Sequence, residues 1–402
     1  MAAPNLRPSR SQITHSRAFW AMAAIAVTFP AISAVPSPLY ALYQDRWGFS
    51  SSTLTEVFAI YVVALLASLL IFGALSDHVG RRPVLLGAIF FEAVSLVVFL
   101  TADGVGALAV ARVIQGLATG AALSTLSAVI VDLQPAHAPK RSGVVNGVAP
   151  LAGLAFGALG CGLLIQLAPW PTSLVFIILL VALAVSAVAV WISPETSTLR
   201  PGARQSLVPH VGLPTRLRND FLALAPIMIA SWALGGLYLS LGPSIANGFL
   251  SHQNYLTGGL VVTALCGTGA FAAYAFRERE PQSILRLAAT WLVIGITVTL
   301  GGIEIDSLLL ALIGTVISGI GFGASALGTF GTLATLADPH ERGELFALAY
   351  VVSYMAFSLP AVAGGLAADQ IGLHKTALIY STGVLVLAAV AFMVSGRQRS
   401  LS

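Results

Sequence analysis

The chain has 402 residues, of which 57% are hydrophobic and 9% are charged. Because an ordinary soluble domain carries roughly 25% charged residues, this supply is too small to cover a water-exposed surface. The composition therefore excludes a soluble protein and predicts a chain embedded in a lipid bilayer. The net charge of +4 gives no support for nucleic-acid binding, since basic residues between membrane spans set topology and contact anionic headgroups.

Apolar windows of about 20 residues recur along the chain, and each is long enough to cross a hydrocarbon core of roughly 30 Å as a helix. We predict an all-α integral membrane protein with twelve transmembrane helices in two pseudo-symmetric six-helix bundles. The windows are 18–40, 53–75, 83–101, 104–131, 142–166, 171–192, 220–243, 253–276, 286–302, 306–336, 343–366 and 375–394.

A polar segment rich in Pro, Arg, Ser and Gly separates the two sets of windows. It predicts an N-terminal bundle over 1–192, a cytoplasmic linker over 193–219 and a C-terminal bundle over 220–402. Basic residues in short loops stay on the cytoplasmic side, and most of the 20 Lys and Arg residues then require both termini to be cytoplasmic. The predicted location is the cell (inner) membrane, with multiple passes.

The segment 73–83 between the second and third windows reads GALSDHVGRRP. It resembles the signature loop of the major facilitator superfamily, G-x-L-S/A-D-x-x-G-R-R/K, at every defining position. The resemblance implies a twelve-helix secondary carrier, similar to bacterial drug/proton antiporters, whose loop latches the two halves together on the cytoplasmic side when the carrier faces outward. The latch residues implied are Gly73, Asp77, Gly80, Arg81 and Arg82. Under the alternative, Arg81 and Arg82 only set topology.

The fourth window contains Arg112, Gln115 and Gly116, which are similar to the R-x-x-Q-G segment of the same family. Arg112 and Gln115 share one helical face, and Gly116 lies beside them with Gly120 on a face of small residues. An arginine inside a membrane helix is costly and by default marks a functional position. The alternative is an Arg112 side chain that extends outward to the membrane surface.

The fifth window is rich in Gly and Pro, with Pro150, Gly153 and Gly157. It partly resembles the helix-five motif of proton-coupled drug antiporters, although no Gly precedes Pro150 in the usual way. This resemblance favours export by antiport. The alternative is a helix-packing face, in which these residues act like Gly116 and Gly120.

Few carboxylates fall within the predicted helices, and Glu56 and Glu92 are the candidates for proton coupling. Glu92 and Arg112 are predicted at comparable depth on adjacent antiparallel helices, so they are candidates for an intramembrane ion pair. In this hypothesis Glu92 or Glu56 releases and takes up the proton. The alternative places Glu56 in interfacial water and gives Glu92 a structural partner.

Uncharged polar and aromatic residues dominate the remaining candidates for substrate contact. A cavity of this kind suits a neutral or weakly charged, rather apolar molecule. Aromatic residues at helical spacing also serve packing or interfacial anchoring, and that alternative stays open. The predicted cavity residues are Gln115, Trp232, Tyr238, Tyr350 and Tyr354.

Rival classes lack their signatures in this sequence. The seven His residues are scattered, no metal-ligand spacing appears and no Walker loop is present, so we expect no enzyme, no metal and no cofactor. The remaining alternative is a proton-coupled importer of a sugar or other small metabolite, because Pro194, Glu195 and Thr196 are similar to the P-E-T segment of sugar porters. We predict a monomeric secondary transporter that moves a small organic molecule by alternating access, with proton-coupled efflux as the favoured direction.

Overall fold

The computed structural model describes residues 10–135, 138, 140–250, 254–338 and 341–398. Within these residues, twelve helical segments are long and apolar enough to cross a membrane. This number confirms the predicted spans. Large apolar side chains such as Phe90, Phe156 and Phe271 are exposed, as expected for helices that face lipid, where apolar surface carries no cost.

In the described residues, the first half contains eight helices that make six spans, because α1 and α2 together form the first span and α4 is a single short turn. These helices are α1 (Arg10–Ala34), α2 (Pro36–Trp47), α3 (Ser51–Phe72), α4 (Ser76–Val79), α5 (Arg81–Leu100), α6 (Val105–Asp132), α7 (Arg141–Leu167) and α8 (Leu174–Ile192).

The second half follows a linker that contains two short 3-10 turns. Its helices are α9 (Arg218–Ser240), α10 (Gly242–Asn247), α11 (Tyr255–Ala275), α12 (Pro281–Glu304), α13 (Leu308–Leu336), α14 (Arg342–Ile371) and α15 (Leu373–Gln398). Six of them are spans, and α10 is a short extension beyond α9.

The helix ends follow local sequence signals. Ser50, Asn254 and Ser307 each accept a hydrogen bond from a backbone N–H in the first turn of α3, α11 and α13, which satisfies donors that have no partner inside the helix. Pro36 lacks an N–H and cannot continue the hydrogen-bond ladder of α1, so a new helix begins there. The first span therefore reaches Trp47, seven residues beyond the predicted end at 40.

Helix pairs α3 with α14 and α7 with α11 join the two halves. We call the end that carries Arg81, Arg141 and Arg216 the basic end, and the other end of the bundle the opposite end.

Polar contacts join the halves at the opposite end. The Ser37 hydroxyl donates to the Leu239 carbonyl at 2.6 Å, and Gln44 contacts Ser244 at 3.4 Å.

Small residues allow the backbones of neighbouring helices to approach closely. A Cβ atom added at Gly116 would lie 2.5 Å from the Tyr61 carbonyl, and one added at Gly120 would lie 2.5 Å from the Leu65 carbonyl. Both residues therefore pack α6 against α3.

Gly153 and Gly157 of α7 approach the backbone of α1 equally closely. Pro150 lies within the same helix, α7.

Candidate functional site

Among the described residues, two charged side chains are fully buried: Glu92 on α5 and Arg112 on α6. The Arg112 guanidinium donates to Oε1 of Gln115 at 2.6 Å. The Gln115 amide in turn donates to Oε1 of Glu92 at 3.3 Å, and the Thr119 hydroxyl donates to Oε2 at 3.3 Å. We call Glu92, Arg112, Gln115 and Thr119 the buried polar network.

No ion pair joins Glu92 directly to Arg112 within the described part of the chain. The predicted proximity of the two groups is therefore present, but an amide lies between them. The network connects a group that can bind or release a proton to a guanidinium that remains charged. Protonation of Glu92 would remove one negative charge from a site that has no water-exposed surface.

The Arg112 guanidinium lies among aromatic and carbonyl groups of the first half. Its Cζ is 4.1 Å from the ring centroid of Tyr61 and 5.8 Å from that of Tyr40, and it donates to the Ser33 carbonyl at 3.3 Å. The ring faces offer a cation favourable electrostatic contact. With 1% of its surface exposed, Arg112 does not extend to the membrane surface, so the snorkelling alternative is wrong for this conformation.

Glu56 lies apart from the buried polar network. It occupies the second turn of α3, close to the opposite end, and its side chain is exposed. The structure therefore does not bring the two predicted carboxylates together, and of these two only Glu92 belongs to a buried site.

An aromatic cluster lies in the second half, next to α3. We define it as Trp232, Phe330, Tyr350, Tyr354 and Phe357. Their ring centroids lie close together, with Trp232 4.9 Å from Tyr354 and 5.7 Å from Phe357, and with Tyr350 5.1 Å from Phe330. The cluster reaches the first half through a ring contact of 5.2 Å between Phe357 and Phe58. Three predicted cavity residues thus share one site at the boundary between the halves.

Tyr238, a fourth predicted cavity residue, has a different environment. Its hydroxyl is hydrogen-bonded to the Thr315 hydroxyl at 2.8 Å. It lines a cavity within the second half, together with Gly242, Val261 and Thr299. It therefore lies outside the aromatic cluster.

The predicted latch loop at the basic end is tied to its own half. Arg81 contacts Oδ1 of Asp77 at 2.6 Å and Oδ2 of Asp132 at 3.3 Å, and it also donates to the Ser76 hydroxyl at 2.6 Å. Gly80 adopts a φ of +101°, which favours glycine because it lacks a Cβ. The tight turn at Gly80 sets Arg81 at the beginning of α5.

Glu195 of the linker binds the same loop. Its carboxylate accepts hydrogen bonds from the backbone N–H of Arg81 at 2.9 Å and of Arg82 at 3.0 Å, where the partial positive charge of a helix N-terminus attracts an anion. Partial burial raises the pKa of Glu195, but the backbone donors of Arg82, Ser197, Arg81 and Thr196 together lower it below its ordinary value. Arg82 also donates to the Trp191 carbonyl.

Comparison with known proteins agrees with this architecture. The profile of the Major Facilitator Superfamily matches residues 18–288. The chain belongs to the major facilitator superfamily. Solved structures with the same fold include the human organic anion transporter MFSD10 (TETRAN), with a TM-score of 0.65 at 18% identity over 96% of this chain and 100% of that one. A bacterial homolog of the human lysosomal transporter Spinster gives a TM-score of 0.73 at 12% identity over 96% of this chain and 98% of that one.

Sequence relatives within the superfamily are distant. The chain is 26% identical over 303 residues to the multidrug resistance protein MdtL of Citrobacter koseri, covering 72% of this chain and 75% of that protein. It is 27% identical over 346 residues to the probable 4-methylmuconolactone transporter of Cupriavidus pinatubonensis, covering 81% and 76%. With the human major facilitator superfamily domain-containing protein 10 it shares 36% identity over 99 residues, which span 24% of this chain and only 22% of that protein.

The second half of this superfamily transporter has its own charged loop at the basic end. Arg216, at the end of the linker, contacts Asp338 at 2.7 Å and Glu341 at 2.5 Å. The Gly212 N–H approaches the Glu344 carbonyl at 3.5 Å. The linker is therefore attached to the Asp77 loop at its beginning and to the start of α14 at its end.

Several residues of these sites were not identified by the sequence analysis. Tyr61, Ser33 and Asp132 carry no motif, and only helix packing brings them to Arg112 and Arg81. Glu195 had a visible signal, the P-E-T segment directly after the sixth span, but its role as a ligand of the α5 N-terminus required the structure.

Proposed function

We propose that this superfamily member is a proton-coupled exporter of small organic molecules. Protons move inward down their gradient as the substrate moves outward, and a central site is exposed to one side of the membrane at a time. The observation that carries the proposal is the buried polar network, in which the fully buried carboxylate of Glu92 is tied through Gln115 to Arg112.

A buried carboxylate is suited to proton coupling because its charge is costly without water or a partner. In the proposed cycle, Glu92 is protonated when the site opens to the acidic side and releases the proton when it opens to the other side. Each change alters the hydrogen bonds of Gln115 and Thr119 with the carboxylate. The network thereby connects the proton to helices α5 and α6, which must move when the halves rearrange.

The aromatic cluster supports a rather apolar substrate that is neutral or weakly charged. Trp232 and Tyr350 are partly buried at the boundary between the halves, where their rings can stack on a planar or apolar molecule. The names of the MdtL relatives, multidrug resistance proteins, agree with the export of small organic molecules.

The remaining parts of the proposed cycle concern the orientation of the chain and the closure of its basic end. We propose that the basic end is cytoplasmic, because basic residues are retained on that side, and that a monomer is sufficient for transport. The proposed units are the bundles 1–192 and 220–402, joined by the linker 193–219. In the outward-facing form, the loop from Asp77 to Arg82 contacts the second half and stabilises closure of the basic end.

An importer of a small metabolite is the second candidate. A metabolite as the substrate agrees with the name of the relative from Cupriavidus pinatubonensis, a probable 4-methylmuconolactone transporter. Glu195 also supports it, since the segment that contains this residue is similar to one found in sugar porters and here binds the start of α5.

The test begins with growth of an export-deficient bacterium, with and without this chain, on toxic compounds, sugars and amino acids at two external pH values. Rescue from a toxic compound supports export, whereas uptake of a labelled nutrient supports the second candidate. The compound identified is then followed in inside-out vesicles with an imposed pH gradient.

In these vesicles the Glu92→Gln variant is expected to lose the dependence of transport on the pH gradient, because an amide cannot exchange the proton. Glu56→Gln is the matched control and should transport as the wild type does. If both variants keep wild-type coupling, proton transfer through an intramembrane carboxylate of α3 or α5 is wrong.

A further inference from the structure

Asp369, near the end of α14, contacts the first residues of a helix in the other half. Its Oδ1 accepts a hydrogen bond from the backbone N–H of Ser51 at 2.9 Å, and its Oδ2 accepts one from the N–H of Ser52 at 3.1 Å. The Ser50 hydroxyl accepts from the N–H of Thr53 in the same turn. Two of the first backbone donors of α3 are thus satisfied by a residue that belongs to α14.

The contact stands at the end of a close-packed face of α14. Phe357, Ala361, Gly365 and Asp369 recur every fourth residue and so lie along one side of the helix. A Cβ atom added at Gly365 would lie 2.7 Å from the Ser51 carbonyl. The backbones of α14 and α3 therefore touch one turn before Asp369, and the carboxylate closes this contact at the opposite end.

We propose that Asp369 holds the opposite end shut by capping the N-terminus of α3. The carboxylate complements both the unpaired donors and the partial positive charge of that helix end. When the opposite end opens, α3 must separate from α14, and both hydrogen bonds are lost to water. Asp369 is therefore a positioning residue that favours the conformation closed at the opposite end.

The two ends of the molecule then use the same kind of device. Asp77 lies in α4, the short turn that comes after α3 at the basic end, and Asp369 binds the first residues of α3 at the opposite end. The inference about Asp369 rests on the alternating access proposed above. It adds a named residue that sets the balance between the two states and that takes no part in proton or substrate binding.

The experiment measures distances between spin labels in purified protein at pH 5 and pH 8. Cys161→Ala and Cys266→Ala remove the native thiols. The pair Asp103→Cys and Glu304→Cys then reports on the opposite end, because both positions are exposed and lie in different halves. A second labelled protein, with Lys140→Cys and Gln282→Cys, reports on the basic end.

Asp369→Asn removes the charge, and Ser51→Pro removes one donor while Asp369 stays intact. Proline is compatible with the first position of a helix, and Ser50 already has an extended backbone, so Ser51→Pro leaves α3 folded. Each variant should lower the ratio of closed to open molecules at the opposite end about fivefold, which corresponds to about 1 kcal/mol. Gln370→Ala, an exposed neighbour on α14, is the control and should leave the ratio unchanged.

In both variants, a shift towards the open distances at the opposite end and towards the closed distances at the basic end would support the inference. Wild-type distances that interconvert, with no shift in either Asp369→Asn or Ser51→Pro, would overturn the role of Asp369 and leave alternating access intact. A single unchanging distance at each end of the wild type, at both pH values, would overturn alternating access and the capping role together.

Discussion

Glu92 and Arg112 lie on either side of one amide, that of Gln115, which accepts from the guanidinium and donates to the carboxylate. A direct ion pair would neutralise both groups in place. With an amide between them, the carboxylate can gain or lose a proton while the guanidinium keeps its own partners, Tyr61 and the Ser33 carbonyl. This arrangement separates a changeable charge from a fixed one.

Gln115→Met should remove the two hydrogen bonds that link Arg112 to Glu92, because methionine keeps the side-chain volume but has no amide. Arg112 and Glu92 would each lose a buried hydrogen bond, and an unsatisfied buried group costs about 1–3 kcal/mol. We expect a lower midpoint of thermal unfolding in detergent and loss of most transport. Gln166→Met, at an exposed position of α7, is the control. Wild-type transport by Gln115→Met would show that the amide is dispensable.

Asp77→Asn should reduce transport at least about tenfold without preventing folding or insertion. The amide keeps the shape of the side chain but loses the charge that pairs with Arg81, and charged pairs at this loop are expected to be needed when the basic end closes. The measurement is the transport flux, together with a size-exclusion profile of the purified variant that reports on its folding. Asp103→Asn, an exposed acid at the opposite end, serves as the control, and full flux from Asp77→Asn would refute the latch.

The docking of the linker should depend on pH through Glu195. Since its pKa is lowered in the folded protein, the bound carboxylate contributes fully above the ordinary glutamate pKa of roughly 4.3, and this contribution disappears as the pH falls through the lower folded value. At neutral pH the carboxylate of the wild type therefore makes its full contribution to the docking of the linker.

Glu195→Gln should therefore expose the linker at neutral pH. Trypsin cleavage after Arg204, an exposed residue of the same linker, should accelerate about threefold, because the exposed carboxylate contributes on the order of 1 kcal/mol or less. Glu278→Gln, an exposed acid outside the linker, should leave the cleavage rate unchanged. Equal cleavage rates for all three proteins would argue against Glu195 as the anchor.

Gly157→Ala should destabilise the packing of α7 on α1. A Cβ at this position would collide with the backbone of Ala31, whereas one at Gly160 would have nothing within 4 Å. Overpacking of this kind costs about 1–3 kcal/mol, so the midpoint of thermal unfolding should fall. Gly160→Ala is the matched control and should be neutral or slightly stabilising, since alanine favours a helix. Equal stability of the two variants would contradict the close approach.

The local properties of the fold were predictable from the sequence. Apolar windows of sufficient length define the spans, and the GALSDHVGRRP loop carries the family resemblance that the profile match confirms. The ends of the helices were less predictable. Pro36 was visible, but whether the chain would stop or restart as a helix after Val35 depended on packing against the second half, which includes the contact of Ser37 with Leu239.

The site was predicted only in part. Helical spacing placed Arg112 and Gln115 on one face, and antiparallel helices placed Glu92 near them. The sequence could not show that an amide would separate the two charges, and it could not decide whether Glu56 is exposed. It also could not show that Tyr238 would line a cavity inside the second half instead of lying at the boundary between the halves. Those outcomes depend on how each helix is rotated about its axis, which a sequence with apolar residues on all sides does not specify.

What the sequence determined by itself is the membrane environment, the number of spans and the chemistry available at each depth, because hydrophobic length and charge are local properties of the chain. Only the tertiary structure decided which of these groups meet. Asp369 and Ser51 are 318 residues apart, and Glu195 reaches Arg81 from the linker. Such contacts arise from the packing of whole helices, where backbone approach and rotation select partners that no local pattern contains.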